Sequence, residues 1–108
     1  MTFLRWVREF RGYTQAQVAA AIRAAGGKIS DDHVSRVERG DTASPAYDTV
    51  QAWADALGVP MATLDEIRKH DLDGEQIRAL AAELVFNSLS RLTDRELRQL
   101  LRERYGAR

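Results

Sequence analysis

The sequence predicts an all-α protein, and three observations predict it. Apolar residues recur at spacings of three and four along the chain, the period of a helix with one buried face. Val and Ile never alternate with polar residues over four or more positions, as a half-buried strand requires. Only two Pro and seven Gly occur in 108 residues, which leaves long uninterrupted stretches.

The first helix is expected from about Phe3 to Phe10, with Leu4 and Val7 on its buried stripe and Gly12 as its stop. Thr14, followed three residues later by Gln17, makes a capping box for a second helix. That helix buries Val18, Ala21 and Ile22 and stops at Gly26-Gly27. Ser30 caps a short third helix that ends at Gly40. Its first turn carries Asp31 and Asp32, where the helix dipole favours negative charge. Ser44-Pro45 is expected to open a fourth helix, with Pro at its first position and a stripe of Val50, Trp53, Ala54 and Leu57. Pro60 opens a fifth, short helix holding Met61, Leu64 and Ile67. Asp residues and Gly74 interrupt the pattern after Lys69, dividing a domain at 1–70 from a helical segment at 71–108. In that segment one helix places Ile77, Leu80, Ala81, Leu84, Val85 and Leu89 on a single face. The other opens on the capping box Thr93 to Glu96 and presents Leu97, Leu100, Leu101 and Tyr105.

Composition narrows the function. With 44% apolar and 30% charged residues, the chain has the balance of a globular domain that needs no staple. No Cys is present, which excludes disulfides, thiol nucleophiles and cysteine-held metals. The two His are far apart in sequence, a poor start for a metal site, and no metal or cofactor is expected. No Gly-rich phosphate loop or Ser, His and Asp spacing suits catalysis, so no enzyme is expected. No apolar run reaches membrane-spanning length and the first residues lack an apolar leader, so a cytoplasmic, nucleoid-associated place is expected. Net charge is zero but unevenly spread. Residues 1–40 carry seven basic groups against four acidic, residues 41–70 two against five, and from Arg91 onward six Arg face three acids. A basic N-terminal stretch is the electrostatic footprint of a face that meets a polyanion.

Several short strings occur in a telling order: Leu4-Arg5-x-x-Arg8, Gly12-Tyr13-Thr14-Gln15, Val18-Ala19, Val34-Ser35-Arg36-Val37-Glu38-Arg39-Gly40 and Leu57-Gly58-Val59. Together they resemble the Cro and phage-repressor (xenobiotic-response-element, XRE) helix-turn-helix family over residues 3–68. The resemblance implies a five-helix lambda-repressor-like DNA-binding domain, followed here by a two-helix C-terminal dimerisation segment. It also implies a transcription regulator, a repressor, that binds double-stranded DNA. Carried over by residue, it makes Thr14 and Gln15 the start of the bracing helix, with Gln15 bonding a phosphate. Arg39 and the amide at Gly40 would touch flanking phosphates, while Asp31, Asp32, Ser35 and Arg36 would face base edges. Arg8 and Glu38 would form a structural ion pair between the first and third helices. The connection through Gly26-Gly27 is longer than the family's usual one and resembles that of mycobacterial secretion regulators that help organise the nucleoid. Lys28, Ser30 and His33 in and after that turn, and Tyr47 beyond, are expected at the DNA backbone.

Asp31 and Asp32 stand where the family often has Gln, Arg, Ser or Thr. An Asp repels phosphate yet can accept a bond from cytosine N4. The alternative reading is a protein-interaction adaptor or antitoxin on a helix-turn-helix fold that does not read DNA. Trp6 and Trp53 are expected as core or interface anchors. The face of Ile77, Leu80, Leu84, Val85, Leu97, Leu100 and Leu101 is too large to leave in water on so small a protein. Either the first domain or a second copy covers it. The expectation is a homodimer, its third helices meeting half-sites about 34 Å apart. No small-molecule ligand is evident in the sequence.

Overall fold

A computed structural model of the chain describes residues 2–40 and 46–106. Among them are seven α-helices, one 3-10 turn and no strand. The first is α1 (Thr2–Phe10), whose Phe3, Leu4 and Val7 are buried. Helix α2 (Gln15–Ala24) opens on a full capping box: Thr14 Oγ1 accepts from Gln17 N at 3.1 Å and Gln17 Oε1 accepts from Thr14 N at 2.9 Å. In α3 (Asp31–Arg39), Ser30 Oγ accepts from His33 N at 3.2 Å. The expected opening at Ser44-Pro45 lies outside the described residues, and α4 (Tyr47–Leu57) begins after an Ala46 cap.

Helix α5 (Met61–His70) turns a different face inward from the one its apolar spacing implies. Ala62, Thr63 and Glu66 are its buried residues, whereas Met61, Leu64 and Ile67 stay half-buried. Helix α6 (Gly74–Phe86) has a capping box of its own between Asp73 and Gln76. It stops three residues short of Leu89, because Asn87 is extended (φ −120°, ψ −169°) and leads into a 3-10 turn at Ser88–Arg91. Helix α7 (Asp94–Tyr105) starts at the expected box, with Glu96 N donating to Thr93 Oγ1 at 3.2 Å.

The apolar faces meet in one core. Helix α1 lies against α6, α3 and α4, α2 against α3 and α4, and α5 against α7. Leu4, Ile22, Val34, Trp53 and Leu57 are buried in it, and the same cluster continues into Leu80, Leu84, Leu97 and Leu101. Those four leucines, expected at a dimer interface, are instead covered by their own chain. Ile77 and Val85 pack half-buried against the same cluster, and Leu100 is half-buried. The physical reason is that the hydrophobic effect is non-directional: an apolar stripe demands cover without naming its source. Peeling α6 and α7 away would forfeit about 2 kcal/mol for each leucine, a sum comparable to the stability of a whole domain.

A buried acid adds a polar tie between α5 and α7. The Glu66 side chain has no solvent exposure. Its Oε1 accepts from Arg102 Nε at 3.2 Å and lies 3.6 Å from Arg98 Nη1 and 3.8 Å from Lys69 Nζ. His70 Nε2 sits 3.0 Å from Oε2. Burial pushes the carboxyl up, but hydrogen bonding to His70 and Arg102, with the charges of Arg102 and Lys69, outweighs it and holds Glu66 below the usual range. Beside it, Asp65 Oδ2 accepts from Arg98 Nη2 at 3.1 Å.

Candidate nucleic-acid interface

The site is built on how α3 is held. Its inner residues Val34 and Val37 enter the core, and Glu38 is buried alongside them. A buried carboxylate must be paired, and α1 supplies the partner. Arg8 Nε donates to Glu38 Oε2 at 2.7 Å and Arg8 Nη2 to Oε1 at 3.0 Å, a planar two-bond fork. Arg8 Nη1 donates to the Tyr13 carbonyl at 2.9 Å, fixing the turn before α2. Gln15, the first residue of α2, donates from Nε2 to Glu38 Oε1 at 3.1 Å. One carboxylate therefore ties α1, α2 and α3 together. Such a charge-assisted fork is among the strong hydrogen bonds of a protein. The amide of Gln15 retains a second proton, so bracing α3 does not exhaust it.

The outer face of α3 is open. Asp32, Arg36 and Arg39 are exposed and Ser35 half-exposed, and these four line a shallow polar hollow of about 320 Å³. Arg39 Nη1 donates to Ser35 Oγ at 2.7 Å, which sets the guanidinium along the helix. A second hollow, of about 310 Å³, runs from this edge to α1 and includes Arg5, Gln15, Ser35 and Arg39. Arg5 therefore borders the same edge, where it pairs with Glu9 at 3.3 Å. Its spacing from Arg8 in Leu4-Arg5-x-x-Arg8 was the available signal.

The lengthened connection is ordered by three contacts. Gly27 N donates to Ile22 O at 2.9 Å, and a Cβ on Gly27 would fall 2.5 Å from Ile22 Cγ2 and 3.3 Å from Ala52 Cβ. Only Gly fits there. Gly26 beside it has φ +94°, a left-handed conformation that favours Gly. Arg23 then reaches across, donating from Nη1 to the Ile29 carbonyl at 2.9 Å and lying 3.5 Å from Asp31 Oδ1. Both side chains are about half exposed, so the ion pair adds little stability. What it does is offset the charge of Asp31 at the start of α3.

Other predicted positions fall as follows. Lys28 is exposed in the connection, while Thr14 and Ser30 spend their hydroxyls as helix caps. His33 is half-exposed. The Gly40 amide donates to Val37 O at 3.1 Å, so it closes α3 and is not a spare phosphate donor. Tyr47 is 66% exposed and lines an apolar cleft with Phe3, Met61 and Ile67. Trp53 is core, whereas Trp6 is half-buried, stacked on Phe10 at 5.7 Å with Arg78 over its ring at 4.7 Å. No helix among the described residues is long and apolar enough to cross a membrane.

A short helix held from behind by a three-helix polar tie, with its outer face exposed, is the architecture of helix-turn-helix domains. A family profile described as a helix-turn-helix domain matches residues 2–67, and the chain belongs to that family. The family points to a DNA-binding regulator and is typically non-enzymatic. No match was found among curated proteins or among solved structures.

Proposed function

We propose that the chain is a sequence-specific regulator of transcription, of the XRE type and acting as a repressor, that reads double-stranded DNA with α3. The observation that carries this is the Arg8–Glu38–Gln15 tie, which immobilises the inner face of α3 and leaves Asp32, Ser35, Arg36 and Arg39 outward. A helix so mounted fits a major groove about 12 Å wide. Arg36, with no side-chain partner among the described residues, is placed to bond a guanine edge with two bonds. Arg39, Arg5 and the second amide proton of Gln15 suit the flanking phosphates. Lys28 extends that contact along the backbone. Asp31, offset by Arg23, weighs less against DNA than its charge implies.

Action as a homodimer belongs to the same proposal, with a changed surface. The C-terminal leucines being buried, the side chains left for a second copy are aromatic: Trp6, Phe10 and Phe86, the last 65% exposed and 5.6 Å from Phe10. Aromatic groups flanked by Arg5 and Arg78 have the composition of an interface centre.

Fluorescence anisotropy on a duplex selected from a random pool tests the reading. Arg36→Ala is expected to weaken the selected duplex by about 1–3 kcal/mol and to relax preference at one base pair. Equal affinity for selected and scrambled duplexes at moderate salt refutes sequence reading. Light scattering of the complex tests pairing: one 12.2 kDa chain per duplex refutes the homodimer.

A further inference from the structure

Helices α1, α4, α5 and α6 enclose a cleft of about 370 Å³. Its wall, among the described residues, is Phe3, Val50, Met61, Leu64, Ile67 and Ile77. Five of these six are half-buried, so a substantial part of the chain's incompletely covered aliphatic surface converges on one concavity. Tyr47 stands at its edge, and Asp65 and Arg68 form the charged rim.

On that rim Arg68 is the group open to an anion. Asp65 is already engaged by Arg98 at 3.1 Å, while Arg68 Nη2 lies 3.5 Å from its other oxygen and the Arg68 side chain is 83% exposed. One acid therefore faces two guanidiniums, and that of Arg68 has donors to spare. Glu66 behind it is matched by Arg102 and Lys69.

We propose that this cleft is a binding site for a small amphiphilic carboxylate, whose apolar body fills the aliphatic wall and whose anionic head meets Arg68. Size follows from volume. At roughly 30 Å³ for each water-sized group, the cleft holds about a dozen non-hydrogen atoms. Apolar walls with a few convergent polar groups are the usual make-up of small-molecule sites of this volume. A second copy is a poorer occupant. Of the exposed large apolar side chains among the described residues, Phe86 is the projecting one on α6. Its ring lies 5.6 Å from Phe10 of its own chain, in the aromatic group already proposed as the pairing surface. The proposal stands apart from DNA reading and is tested without DNA.

Decanoate, with twelve non-hydrogen atoms, is the probe, titrated below its micelle threshold into the full chain with methyl groups observed by NMR. The expected result is saturable movement of the Val50, Leu64, Ile67 and Ile77 methyls, with a Kd of about a hundred micromolar. At tenfold excess over Kd, the melting temperature should rise by about 5 °C. Arg68→Gln, at an exposed position, should weaken decanoate about fivefold or more and leave decanol unchanged. Leu64→Trp, which fills the cleft, should abolish both. Three results overturn the proposal: no methyl movement at millimolar decanoate, movement confined to other regions, or equal loss of decanoate and decanol on Arg68→Gln. Movement of the same methyls on dilution without decanoate also overturns it, in favour of a second copy as occupant.

Discussion

Glu38 shows what one side chain decides. Without its charge, α1, α2 and α3 would share apolar contact but no fixed register, since apolar surfaces slide more freely than two-bond forks. Arg8→Ala leaves that buried carboxylate with Gln15 as its remaining side-chain donor, so folding stability is expected to fall by about 3 kcal/mol. Urea denaturation measures it, and a loss below about 1 kcal/mol would show that the fork is not structural. The pairing is readable from sequence only through the order of the strings around Arg8 and Glu38, thirty residues apart. Gln15 as the third member, Arg23 as partner of Asp31, and Arg5 beside the outer edge of α3 depend on how the helices pack across the turns between them, which no local pattern encodes.

Among the elements, what local chemistry determines was legible and what neighbours determine was not. Thr14, Ser30 and Thr93 cap where their side-chain bonding implies, because a cap is settled within four residues. The end of α6 at Phe86 was missed, since the apolar spacing continues to Leu89 while the backbone turns at Asn87. The inward face of α5 was missed for a sharper reason. Its buried positions carry Thr63 and Glu66, and a polar residue becomes an inside residue only when partners from α7 meet it. For α6 and α7 the pattern identified the buried leucines but not their cover. Leu84→Ala and Leu101→Ala test that cover. Each should cost about 2–5 kcal/mol, in a single unfolding transition whose dependence on protein concentration stays that of the parent. A variant that changes that dependence would return those leucines to an interface between copies.

At the scale of the whole molecule, the polar tie through Glu66 makes stability depend on pH in a stated direction. Its carboxyl is held low in the fold, so the stabilisation it gives is present above the ordinary glutamate value of about 4.3 and disappears as pH falls through the folded value. Relative to the parent, Glu66→Gln should therefore be less stable at pH 7 by about 1–3 kcal/mol, with the difference closing in acid. A gap that is constant from pH 7 to pH 3 would mean that Glu66 contributes by shape, not charge. The same tie bears on how the molecule is made. Synthesis delivers α5 before α7, and Arg102 follows Glu66 by 36 residues. While that stretch is still being translated, the acid has Lys69 and His70 at hand but neither guanidinium of α7, and the leucine cover is missing too. The growing chain thus carries α3 and its tie to α1 and α2 well before α5 and α6 have their full cover. A product cut short between these helices would be ready prey for proteases.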